Sequence, residues 1–125
     1  MKRIISTTNA PAAIGPYSQA VEINGFLYIS GQLPVDPASG GIAANTVTDQ
    51  AEQVFANIKA ILDEAGYTFN DVIKSTVFLA DIADFGDMNN VYRKYYESDC
   101  PARSAFAVKS LPLGALVEIE TIAAK

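Results

Sequence analysis

Histidine is absent from this 125-residue chain. Its absence removes the commonest general base, the Ser–His and Cys–His nucleophile pairs and most zinc sites. Any catalysis must come from Glu, Asp, Tyr, Lys and backbone groups, which restricts it to substrates that are already reactive. Cysteine occurs once, as Cys100, so no intramolecular disulfide can form, and a reducing, cytoplasmic setting is expected. Basic runs are missing too. Nine Lys and Arg against fourteen Asp and Glu leave a net charge of −5, and Lys2-Arg3 and Arg93-Lys94 stand as isolated pairs. No nucleic-acid partner is expected from that balance. Nothing approaches the ~18 apolar residues of a membrane span. Lys2-Arg3 is followed only by Ile4-Ile5 before polar Ser6-Thr7-Thr8-Asn9, which gives no signal-peptide core.

Half of the residues are hydrophobic and 18% are charged, a globular balance. The length fits one domain over residues 1–125, able to bury roughly 65–70% of its unfolded surface. Strand-like runs flank Asn24-Gly25, a strong hairpin signal. Residues 33–45 read as a loop through Pro34, Pro37, Gly40 and Gly41. A helix is expected from about Thr48 to Ala65, with the stripe Val54, Phe55, Ile58, Ile61, Leu62, Ala65, capping by Asp49 with Glu52, and Gly66 as its stop. Val72–Ala80 is β-branched and strand-like. A second helix, about Phe85 to Tyr96, carries Phe85, Met88, Val91/Tyr92 and Tyr95 on one face, with Asp84 as N-cap. Two further strands follow, Arg103–Lys109 and Ala115–Ala123, joined through Leu111-Pro112-Leu113-Gly114.

The fold class is therefore α+β, one sheet with two helices, and two helices cover only one face. Yet Phe26-Leu27-Tyr28-Ile29, Val77-Phe78-Leu79 and Ala105-Phe106-Ala107-Val108 are apolar at consecutive positions. A sheet open to water on one face should alternate. The second face is expected to be buried against other copies of the chain.

Arg103 opens an apolar strand and carries five donors in a planar fork, which calls for an anion. If the last two strands form a hairpin centred between Leu111 and Pro112, Arg103 faces Glu120 and Ala105 faces Glu118, all on one side of the sheet. The anion could then be an internal glutamate or a substrate carboxylate. Lys74 is a candidate Schiff-base amine or a snorkelling lysine. Taken alone, Tyr17 after Gly15-Pro16 reads as a packed loop tyrosine and Ser30-Gly31-Gln32 as a strand-exit turn, while between Asn89 and its neighbour Asn90 in the second helix the sequence does not choose which is solvated. Cys100 has no basic or metal-binding cluster beside it and reads as an inert thiol.

In combination these segments resemble one family. Residues 10–19 (Ala-Pro-Ala-Ala-Ile-Gly-Pro-Tyr-Ser-Gln), Ser30-Gly31-Gln32-Leu33-Pro34, Gln53 to Gly66, Val77-Phe78-Leu79, Pro101-Ala102-Arg103-Ser104 and Val117-Glu118-Ile119-Glu120-Thr121-Ile122-Ala123 are similar to the RidA (YjgF-like) enamine/imine deaminases, in order along the whole chain. The resemblance implies a chorismate-mutase-like fold assembled as a homotrimer, with sites in the clefts between subunits. It implies hydrolysis of 2-aminoacrylate, 2-iminobutanoate and related products of pyridoxal-phosphate-dependent dehydratases to 2-keto acids and ammonia, with no cofactor or metal. By the same resemblance Arg103 grips the substrate carboxylate and Glu118 activates water. Tyr17, Ser30, Gly31 and Asn89 line the cleft, and Ala105 stands where many members have Cys, contributing its backbone N–H. A non-catalytic 2-keto-acid-sensing or regulatory module using the same cleft is the alternative, and an RNA-directed activity a more distant one.

Overall fold

Asn24 and Gly25, with φ of 53° and 82°, make the tight turn that the dipeptide predicts. They join β2 (Ala20–Ile23) to β3 (Phe26–Gln32), and β1 (Arg3–Ile5) lies outside β2. A computed structural model describes residues 1–125. Its further elements are α1 (Val47–Ala65), β4 (Val72–Leu79), α2 (Phe85–Tyr95), β5 (Ala102–Ala107) and β6 (Val117–Ala124). The six strands form one mixed sheet in the order β1-β2-β3-β6-β4-β5, in which only β4 and β5 run parallel.

The stripe read for α1 is its buried face: Val54, Phe55, Ile58 and Ile61 are fully enclosed. Each such burial contributes about 1.5–3 kcal/mol. The cap differs from expectation. Thr46 precedes the helix and its Oγ1 accepts from Asp49 N at 3.2 Å, so Asp49 lies inside the first turn. Gly66 closes the helix at φ 85°, a left-handed geometry that glycine adopts without penalty. For α2, Asp84 makes no side-chain cap bond; Asp81 caps the preceding turn by accepting from Ala83 N at 2.9 Å.

Both helices pack on the side of the sheet lined by Leu27, Ile29, Val77, Leu79, Val117 and Ile119. An aromatic cluster holds α2 against α1. Phe55 stacks on Tyr95 with centroids 4.3 Å apart and meets Tyr92 edge-on at 5.8 Å. The opposite face carries Ile23, Phe26, Tyr28 and Phe106, all more than a third exposed.

The expected hairpin between β5 and β6 does not form. β5 pairs only with β4, in parallel, through the β4–α2–β5 crossover, and β6 inserts between β3 and β4. Residues 108–116 carry the chain past the end of β4, where Val108 N donates to Leu79 O and Ala80 N to Leu116 O. A crossover helix packed on the sheet imposes that parallel pairing, and it overrides the local turn signal of Pro112-Leu113-Gly114.

Candidate functional site

The strand order changes what Arg103 can meet. In β5 it sits in register with Ser75 of β4, which pairs in turn with Thr121 of β6. Ser75 and Thr121 are buried under the helices, and register partners share a face. Arg103 accordingly extends toward α2. Its Nη1 donates to Asn89 Oδ1 at 2.7 Å. Its Cζ lies 4.6 Å from the Tyr92 ring centroid and 5.3 Å from that of Phe85. The ion pairs of the chain are Arg3–Glu22, Lys59–Asp63 and Lys94–Glu52. Arg103 therefore has no carboxylate at ion-pair distance, and most of its fork is uncommitted. Cation–π contact with two rings supports the charge and leaves the in-plane donors available. A cavity of about 490 Å³ opens beside it, lined by Asn89, Tyr92, Cys100 and Arg103 and by the charged Arg93 and Glu97.

Glu118 and Glu120 alternate with the buried residues of β6 and face the other side, in register with Phe78 and Thr76. Glu118 is half-buried, Glu120 exposed. Burial, and secondarily the charge of Glu120, raises the pKa of Glu118 above the ordinary carboxylate value. Its carboxylate lies against Gly31, where the β3–β6 register shifts. A Cβ on residue 31 would collide with Glu118 Oε2 and stand 3.0 Å from Cδ; glycine is what lets the two approach. Ser30 is fixed one residue earlier, its Oγ donating to Ser18 O at 2.6 Å. Tyr17 is about half exposed on the preceding loop and shares with Gly31 a separate cavity of about 250 Å³.

The expected site residues thus fall into two groups. Arg103, Asn89 and the half-buried Ala105 belong to the helix side and the β5 edge; Glu118, Gly31, Ser30 and Tyr17 cluster around the β3–β6 irregularity. The expectation that both glutamates share a face with Arg103 is overturned, and with it the internal ion pair. Lys74, beside Ala102 and Ile122, has no hydrogen-bond or ionic partner. Cys100 is exposed, and its Sγ donates to Tyr96 O at 3.3 Å. Reasoning from the sequence missed Tyr92 and Phe85 as neighbours of Arg103, having placed both in the apolar face of α2. The available signal was spacing, since Asn89 and Tyr92 are three residues apart on one helical face.

Comparison with known proteins places these features in company. The family model described as endoribonuclease L-PSP matches residues 7–125. A RutC family protein of Pyrococcus horikoshii is 54% identical over 125 residues, covering 100% of this chain and 99% of its own. The 2-iminobutanoate/2-iminopropanoate deaminase of Capra hircus is 54% identical over 123 residues, covering 98% of this chain and 90% of its own. Among solved structures, E. coli TdcF with bound serine superimposes with a TM-score of 0.93 at 43% identity, covering 98% of each chain.

Proposed function

This chain belongs to the endoribonuclease L-PSP family, and we propose that it hydrolyses reactive 2-imino and 2-enamino acids to 2-keto acids and ammonia. The observation that carries this reading is Arg103, a fixed guanidinium held by Asn89 and two aromatic rings with no carboxylate of its own. A planar carboxylate completes such a fork with two charge-assisted hydrogen bonds. The names of close relatives support the same substrate class, and a structural neighbour holds serine, a small molecule with an α-carboxylate.

Arg103 and Glu118 lie on opposite faces of the sheet, so a site using both takes them from two chains. We read the assembly as a homotrimer, with the number of subunits taken from the family resemblance. The exposed Ile23, Phe26, Tyr28 and Phe106 supply an apolar face for it. In each cleft Arg103 of one subunit holds the substrate carboxylate, turning encounter into a fixed geometry. Asn89 orients the guanidinium, and Ala105 offers its backbone N–H. Glu118 of the neighbouring subunit, with Tyr17, Ser30 and Gly31 around it, faces the imine carbon. The Glu118 carboxylate takes a proton from water as its oxygen attacks the protonated imine. That proton then passes to the nitrogen of the tetrahedral adduct; as ammonia leaves, the carboxylate takes the proton of the adduct's hydroxyl and releases it to solvent, leaving the keto acid and the free carboxylate. The electrophile is strong enough that a modest base suffices. Dehydratases that use pyridoxal phosphate are the source of such imines.

The test is keto-acid release in a dehydratase-coupled assay with wild-type protein and Arg103→Ala. Acceleration by the wild type, lost in the variant, is expected; equal rates with both would end the proposal. Binding of 2-keto acids without turnover would instead favour a sensing module. Against an RNA-directed activity stands the net charge of −5, which disfavours binding a polyanion.

A further inference from the structure

The cavity beside Arg103 is roomier and more charged than a small monocarboxylate requires. Its volume is about 490 Å³, and its ionic lining residues are Arg103, Arg93 and Glu97. Arg103 accounts for one carboxylate. Arg93 is exposed in the last turn of α2 and makes no hydrogen bond or ion pair within the chain; its neighbour Lys94 is the one that pairs, with Glu52. Two guanidiniums with open donors therefore border one cavity.

Helical spacing sets how far apart they act. Asn89 and Arg93 are four residues apart on α2, which puts their Cβ atoms about 5–6 Å apart on one face. Asn89 Oδ1 accepts from the Arg103 guanidinium at 2.7 Å. An acid whose α-carboxylate sits on Arg103 thus finds a second fork one helical turn along, within reach of a group at the far end of a short side chain. Glu97 acts in the opposite sense. It lies past the end of α2, borders the same cavity and is beyond ion-pair distance of both arginines. Two cations against one anion leave the lining net positive.

We propose that Arg93 sets substrate specificity: with the α-carboxylate on Arg103, it receives the distal carboxylate of 2-imino and 2-keto dicarboxylic acids, which the site prefers to uncharged acids of the same length. This rests on the reading of Arg103 as a carboxylate site and extends it to the substrate side chain. An exposed guanidinium contributes modestly, so the preference is a few-fold one and weakens with salt.

The test compares 2-oxoglutarate with 2-oxopentanoate by calorimetry on the intact assembled protein. The two share a carbon chain and differ only in a terminal carboxylate against a methyl group. Wild type should bind 2-oxoglutarate about twofold to fivefold more tightly, and the ratio should shrink as salt is raised. Arg93→Gln should bring the ratio close to one, Arg93→Lys should keep part of it, and Glu97→Gln should increase it. Equal affinity of wild type for the two acids would overturn the proposal while leaving the α-carboxylate reading intact. An Arg93→Gln variant that unfolds at a lower temperature but keeps the wild-type ratio would also overturn it, assigning Arg93 to the helix end. Failure of wild type to bind either acid would strike the carboxylate reading itself, and this proposal with it.

Discussion

Replacing Gly31 by alanine isolates the position of the Glu118 carboxylate from almost everything else. The added Cβ would collide with Oε2 of Glu118 and sit 3.0 Å from Cδ and 3.4 Å from Cγ. Only the flexible end of one side chain lies in its way, so the carboxylate must retreat by about 1 Å to reach ordinary contact distance. A displacement of about 1 Å at a reacting group costs up to ~10²-fold in rate, or about 2.7 kcal/mol of transition-state stabilisation. Stability moves little. Gly31 does not occupy the left-handed region, so alanine gains about 0.4–1 kcal/mol through a less flexible unfolded chain. Forcing Glu118 off its rotamer costs about 0.5–1.5 kcal/mol in return. The expected result is turnover of imino acid reduced ~10²-fold, with a denaturation midpoint near that of wild type. A second comparison removes the obstacle: against a Glu118→Ala background, Gly31→Ala should be stabilising, because nothing remains for the methyl to strike. Undiminished turnover in Gly31→Ala would refute the reasoning. So would a destabilisation that persists in the Glu118→Ala background, since the glycine would then be required for its own backbone.

Glu118 gives a pH prediction whose sign follows from its raised pKa. The folded protein holds that proton more tightly than the unfolded chain, so the contribution of Glu118 to stability is full below the unfolded pKa. It is lost as pH rises through the folded one. Glu118→Gln does not titrate, so it should equal or exceed wild type at neutral pH, with the gap closing toward the acid side in urea unfolding at several pH values. Wild-type turnover should fall, on acidification, at a higher pH than an ordinary glutamate would dictate. In the core, Ile58→Ala empties a fully enclosed position and should cost about 2–5 kcal/mol in chemical denaturation; a loss below about 1 kcal/mol would show that α1 and the sheet collapse onto the gap.

What could be read along the chain was whatever its neighbours in sequence decide. The α1 stripe, the Asn24-Gly25 turn and the excess of apolar residues on both faces of the strands are local patterns, and the fold follows them. The partner of β5 is not local. A turn signal at 112–114 suggested β6, and only the docking of α2 on the sheet hands β5 to β4 instead. That single exchange moves Arg103 to the opposite face from Glu118 and Glu120. With a hairpin, Arg103 would have had two carboxylates beside it, and a structural ion pair would have explained it. In the observed order its neighbours are Asn89, Tyr92 and Phe85, which orient a cation without neutralising it. The same exchange bears on assembly. Within one chain Arg103 and Glu118 project from opposite faces of the six-stranded sheet. If both residues serve one reaction, association is a condition of activity and not an addition to it. Dilution below the dissociation constant of the assembly, or a charge at Phe26 or Phe106 on the apolar face, should then abolish turnover while each subunit keeps Arg103 and Glu118. Sedimentation and keto-acid release followed across the same concentration series should lose assembly and activity together, and activity surviving in the monomer would break the link.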